Sequence, residues 1–199
     1  MEMTRFEKWL VNRNKKAERN IARVRQRLAE LPLAAIKDVL ELGCGIGSVA
    51  SFLAETYHMK VLGTDYDREQ IQIACKRHPE NDHLTYQVED AARLSFKDAS
   101  FDLIISQNVF HHLPQWQTAV QEINRVLRSE GFLLWLDLTL PKWIARLFQP
   151  LSKKHSLYCI ADVNFVFEKQ GFKQLFAERL IHGPFFQHHL VWQKVRKND

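Results

Sequence analysis

The chain has 199 residues, 46% apolar and 26% charged, enough to bury one core without disulfide or metal staples. No apolar run approaches the roughly 18 residues of a membrane span, the acid-bearing start lacks a signal-type apolar region, and three scattered cysteines (Cys44, Cys75, Cys159) show neither a disulfide framework nor metal-ligand spacing, so a cytoplasmic protein without a metal is expected. The net charge of +5 is local, because residues 1–30 hold nine bases and four acids and the other 169 residues balance.

That basic segment, residues 1–34, reads as an amphipathic helix running without Gly or Pro up to Pro32. Leu10, Asn14, Ala17, Ile21, Val24, Leu28 and Leu31 recur at alternating steps of four and three, a narrow apolar seam. The seam suits docking on the rest of the chain or pairing of two copies, so oligomeric state stays open. The basic face is either solvated or meets an anionic membrane surface, a nucleic acid or an anionic substrate. No aromatic residues interleave with the bases to stack nucleobases, which argues against nucleic acid.

From residue 38 apolar strands and helices alternate: strands at 38–42, 60–64, 84–88, 101–106 and 131–137, helices at 47–57, 67–77 and about 113–128. This spacing predicts a parallel sheet with helices on both faces and ligands at the carboxyl ends of the strands. After Asp137 the pattern breaks into a cap over about 138–158, with a short helix near 141–148, the aromatics Trp143 and Phe148, and the bases Lys142, Arg146, Lys153 and Lys154. A helix to Gln170 follows, then two strands near 172–181 and 185–195 joined at His182-Gly-Pro184. So short a turn makes them antiparallel.

The chain is organised around Asp38-Val-Leu-Glu-Leu-Gly-Cys-Gly-Ile-Gly47. A buried-strand pattern reaches Glu41 and runs through Gly43, Gly45 and Gly47 into a helix, which lets backbone and helix N–H groups approach a ligand. The next strand ends in Asp65, where an acid can meet a ribose. A nicotinamide dinucleotide fingerprint, G-x-G-x-x-G, needs glycine at position 48, which is Ser48.

These residues resemble class I S-adenosylmethionine-dependent methyltransferases. The likeness rests on Glu41-Leu-Gly-Cys-Gly-Ile-Gly47 with Asp65, on Val88-Glu-Asp-Ala-Ala-Arg-Leu-Ser-Phe96, on the stretches 101–113 and 126–133, and on Gly171-Phe172 before the hairpin. It spans about 35–195 and is nearest the small-molecule type, similar to ubiquinone and menaquinone biosynthesis methyltransferases. It implies an α/β, Rossmann-like seven-stranded sheet, mostly parallel with an antiparallel C-terminal strand, and S-adenosylmethionine as methyl donor. By resemblance, the three glycines pass under the methionine part and Glu41 meets its ammonium. Asp65 accepts from both ribose hydroxyls, a charge-assisted contact; its alternative role, capping the next helix, suits Asp67 better. Tyr66 with Ile46 flanks the adenine, or either fills core. Asp90 and Ala91 meet the adenine edge, Glu89 being the substitute one residue away, and Ser106 and Gln107 bring backbone carbonyls to the methionine.

His111 follows the fourth strand and Asp137 ends the fifth, so the pair is a candidate for proton abstraction from the methyl acceptor; alternatively His111 and His112 start a helix and pack against the cap. An Asn/Asp-Pro-Pro-aromatic block, a Cys beside Pro, and an Asp in place of Ser106 are all missing. By resemblance this leaves a small-molecule or lipid-like acceptor. Trp143, Phe148, Tyr158, Phe185 and Phe186 suit an apolar, aromatic pocket, although each also suits ordinary core. The reading is methyl transfer to a hydrophobic or aromatic small molecule, with a quinone precursor or a lipid headgroup as candidates. Peripheral membrane contact through the basic helix stays open. The alternative is a non-catalytic S-adenosylmethionine-binding partner or sensor.

Overall fold

The computed structural model describes residues 14–148, 156–182 and 185–196. Seven strands form one sheet: β1 Asp38–Leu42, β2 Lys60–Asp65, β3 Leu84–Val88, β4 Phe101–Gln107, β5 Leu127–Thr139, β6 Phe172–His182 and β7 Phe185–Lys194. Their spatial order is β3-β2-β1-β4-β5-β7-β6. The first five strands pair in parallel, and β7 lies antiparallel between β5 and β6. The helices are α1 Asn14–Leu28, α2 Ser48–Tyr57, α3 Arg68–Arg77, α4 Trp116–Val126, α5 Lys142–Phe148 and α6 Ile160–Lys169, with 3-10 turns at Leu33–Ala35 and Phe110–His112.

The central strands are apolar on both faces because both faces are covered. On one, Leu40, Ile104, Leu133, Trp135 and Trp192 pack with Ala119, Val120 and Ile123 of α4 and with Val163 and Phe167 of α6. On the other, Val39, Leu103, Ile105, Leu134, Leu136 and Val191 pack with Val49, Ala50 and Leu53 of α2 and with Val24 and Leu28 of α1. The seam of α1 therefore docks on its own chain. Arg27 turns inward with it, its guanidinium 4.1 Å from the centre of the Phe176 ring and its NH1 3.1 Å from Glu30.

The helix expected from about 113 starts at Trp116 instead. Leu113 precedes Pro114 and is extended (φ −93°, ψ 109°), as crowding by a following proline demands. β5 begins earlier than residue 131, with a register shift opposite Phe101–Leu103 that Glu130 accommodates at φ 63°. Leu10, Lys153, Lys154, Gly183 and Pro184 lie outside the described residues, as do the side chains of Asn14, Phe148 and His182. Among the described residues no helix is long and apolar enough to cross a membrane.

Because Leu28 is fully buried, Leu28→Ala should lower unfolding free energy by about 2–5 kcal/mol. Gln26→Ala, on the exposed side of α1, should change it little. Equilibrium urea denaturation reads both; equal midpoints would contradict the docking of α1.

Candidate active site

The cavity of interest opens at the carboxyl ends of β1, β2 and β4, where the strand order reverses and a crevice is unavoidable. Its volume is about 590 Å³. β1 delivers Glu41 and then a loop closed by Cys44 N–H donating to Thr64 O (2.8 Å) and Gly47 N–H donating to Cys44 O (2.9 Å). Gly45 has φ 53°, and a Cβ there would meet nothing nearer than Gln70 Oε1 at 3.9 Å, so open space borders its backbone. Gly47 differs. A Cβ there would lie 2.5 Å from Tyr86 Oη, so glycine is needed to pack against protein.

Glu41 is 3% exposed and takes a hydrogen bond from the Ala50 N–H in the first turn of α2, while its Oε2 is buried without a partner. Burial pushes its carboxyl pKa up to about 8, against the Ala50 bond and with a smaller push from Asp65. At the tip of β2, Asp65 Oδ2 accepts from Gly45 N–H and Oδ1 from Asp67 N–H, both at 2.9 Å. Burial still holds its pKa above the ordinary value. Asp67 caps α3, accepting from Glu69 N–H at 2.9 Å, which leaves Asp65 to the cavity. Glu89 and Asp90 both line the cavity. Glu89 is engaged by Gln87 Nε2 at 2.7 Å and Ser95 Oγ at 2.5 Å, whereas the Asp90 carboxylate accepts a local bond from Ala92 N–H.

Asp137, fully buried at the end of β5, gathers the turn after β4. Its Oδ2 accepts from Val109 N–H (2.8 Å) and Phe110 N–H (2.7 Å), its Oδ1 from Leu138 N–H (2.6 Å) and His111 Nδ1 (2.5 Å). With the Nδ1 proton fixed on Asp137, the neutral ring offers Nε2 as its basic nitrogen. Burial disfavours the His111 imidazolium and Lys16 opposes it. The Asp137 charge and hydrogen bond outweigh both, and the pKa lies above the ordinary histidine value.

Glu41, Gly43, Gly45, Asp65, Tyr66, Asp90, Ala91, Gln107 and His111 thus share one cavity. Gly47 and Ser106 do not line it. Gly47 backs onto Tyr86, and the Ser106 side chain points into the sheet–helix layer that holds Leu42 and Trp135, its register partners. Asp137 reaches the cavity through His111. Lys16, Ala17 and Asn20 of α1 also line it and were missed by sequence reasoning. The available signal was Ala17, the smallest residue of the seam. Among the described residues no cluster of His, Cys, Asp and Glu could hold a metal ion.

Residues 40–135, spanning the glycine loop, Asp65, Asp90 and His111, match the family described as methyltransferase domain. That stretch is a methyltransferase domain. Over 103 residues the chain is 38% identical to phthiotriol/phenolphthiotriol dimycocerosates methyltransferase 1 of Mycobacterium ulcerans, a match covering 51% of this chain and 38% of that protein. Over 99 residues it is 34% identical to 2-methyl-6-phytyl-1,4-hydroquinone methyltransferase of a Synechocystis species, covering 50% and 31%. The matched stretch therefore spans about a third of these relatives. The YcgJ protein of Bacillus subtilis shares the fold of the methyltransferase domain, with a TM-score of 0.72 at 17% identity over 89% of this chain and 99% of that one.

Since the folded-state pKa of His111 is raised, its contribution to stability is full below about pH 6.5 and is lost as pH rises through that raised value. Its ring resonances should titrate above 6.5 in the wild type. In Asp137→Asn only burial and Lys16 remain, so the midpoint should fall below 6.5; NMR titration of both proteins checks the sign.

Proposed function

We propose that the chain is an S-adenosylmethionine-dependent methyltransferase acting on a hydrophobic or aromatic small molecule. The observation that carries this reading is the buried, unpartnered Oε2 of Glu41 beside the open Gly45 backbone. A carboxylate there lacks a cationic hydrogen-bond donor, and an amino acid ammonium is one. On the neighbouring strand Asp65 presents two oxygens to a ribose diol, and Asp90 with Ala91 meets the adenine edge. Tyr66, 52% exposed, covers the adenine face. The Ser106 and Gln107 carbonyls end β4 at the methionine, and Gly43 passes beneath it. Gly47 supports the loop against Tyr86.

When bound, the cofactor supplies a methyl group already activated by sulfonium. The protein's share is mostly alignment, worth about 7–11 kcal/mol. His111 Nε2 takes the proton of the accepting atom, Asp137 stabilises the resulting imidazolium, and such a base contributes about 10²–10⁴-fold. The hydroquinone and the dimycocerosate named for the relatives favour a quinone precursor or a lipid as acceptor, and the three unpaired cysteines suit a reducing cytoplasm.

Peripheral contact with anionic membranes falls to the exposed bases Lys15, Arg19 and Arg25, because Lys16, Arg23 and Arg27 turn inward. Flotation with anionic liposomes should be lost when those three exposed bases are changed to Glu; unchanged flotation removes α1 from the contact.

Calorimetry with S-adenosylhomocysteine tests the donor site. Asp65→Ala removes two hydrogen bonds to a charged acceptor, so affinity should fall about 10²-fold or more. Glu41 keeps its proton below pH about 8 and must shed it to meet an ammonium. Binding at pH 7 should therefore release close to one proton and tighten towards pH 8, and Glu41→Gln should abolish both effects. No binding by the wild type sinks the donor reading. Binding without transfer to any acceptor of a broad panel would instead make the chain a cofactor-binding partner.

A further inference from the structure

Lys16 is half-buried on α1 and lines the same cavity as His111. No ion pair or hydrogen bond engages it among the described residues; the one ion pair found on α1 there is Arg27 with Glu30. Its helix neighbours three and seven residues on, Arg19 and Arg23, are cations too. Burial and both of these lower its pKa from the ordinary lysine value, and Arg23 is depressed by burial and Arg19 in turn. Of the cavity's acids, Glu41 accepts from Ala50 N–H, Asp65 from Gly45 and Asp67 N–H, and Glu89 from Gln87 and Ser95, and among the described residues none pairs with Lys16.

Lys16 is near enough to His111 for its charge to oppose the imidazolium, and both line the one cavity. Gln107 Nε2 donates to Asn20 O at 3.4 Å, tying the helical turn beyond Lys16 to the end of β4. The cation is thus held over the cavity by the fold. A half-buried cation without a counter-ion is costly, and a ligand anion in the cavity removes that cost.

We propose that the methyl acceptor carries an anionic group, a carboxylate or a phosphate, which Lys16 binds beside His111. The assignment to the acceptor rests on the donor reading of Glu41 and Asp65. The binding of an anion by Lys16 does not.

The test uses the full chain and anionic probes, each with a neutral partner of similar shape: 4-hydroxybenzoate against its methyl ester, octanoate against octanol, and phenyl phosphate against phenol. Binding is measured with and without S-adenosylhomocysteine, in the wild type, Lys16→Met and Lys16→Arg. A charged hydrogen bond predicts that the wild type prefers the anionic members about 10-fold or more. The preference should vanish in Lys16→Met and persist in Lys16→Arg, whose retained response also shows that the site has kept its fold. S-adenosylhomocysteine affinity should change less than about twofold in either variant. Absence of an anion preference in the wild type overturns the proposal. So does a Lys16→Met variant that weakens S-adenosylhomocysteine and spares 5′-methylthioadenosine, which lacks the amino acid, because Lys16 would then hold the donor's own carboxylate. If the wild type fails to bind S-adenosylhomocysteine, the donor reading falls, and the probes measured without it still decide whether Lys16 binds an anion.

Discussion

Right-handed crossovers leave β1 and β4 in opposite directions, so no helix can cover the ends of both strands. β1 feeds α2 on one side of the sheet and β4 feeds the turn at Phe110–His112 and α4 on the other. The crevice between them is a consequence of topology. What the chain places in it is a matter of residues: Glu41 and the glycine loop from β1, Asp65 from β2, the turn with His111 from β4. A carboxylate buried at the end of β5 then fixes that turn. Asp137 accepts four hydrogen bonds, three from backbone, so the position of His111 is set by main-chain geometry as much as by its own side chain.

Charge divides the crevice. Glu41, Asp65 and Asp90 come from β1, β2 and the segment after β3 on one side of the strand-order reversal, His111 comes from the turn after β4 on the other, and Lys16 lines the same crevice. The two sides are perturbed in different ways, and the difference has chemical content. On the acidic side burial dominates and keeps the Glu41 and Asp65 carboxyl groups protonated longer than in water, a state that a cationic ligand reverses. On the basic side Asp137 overrides burial and holds the proton on His111, so the ring becomes a free base only above its raised pKa. A proton added at Nε2 is then stabilised through the Nδ1 hydrogen bond by the charge of a carboxylate that cannot reach solvent.

Much of this was legible in the sequence, for identifiable reasons. The central parallel strands announce themselves because strands covered on both faces must be apolar, whereas the edge strand β3 is mostly exposed, and the hairpin because a turn as short as 182–184 reverses the chain. Glu41, Asp65 and Asp90 were legible as acids at strand ends. The sequence said less about direction. Three alternate glycines report a backbone that only glycine tolerates, yet Gly45 borders open space while Gly47 packs on Tyr86. Ser106 ends a strand at the rim and still points into the core layer. The inward turn of Lys16, Arg23 and Arg27 was not legible at all, because a heptad-like seam marks where a helix docks and is silent about the residues flanking it.

Those flanking residues give α1 two unequal halves. Val24 and Leu28 are fully buried and anchor its C-terminal half in the core, where Arg25 and Arg27 in the last turn complement the helix dipole. Toward the N-terminus, Ala17 and Asn20 bury little and face the cavity. Lys16, Arg19 and Arg23, spaced three and four apart, repel one another by a few tenths of a kcal/mol per pair. The Gln107–Asn20 hydrogen bond sits at the junction of the two halves. A ligand anion against Lys16, as proposed, screens that repulsion.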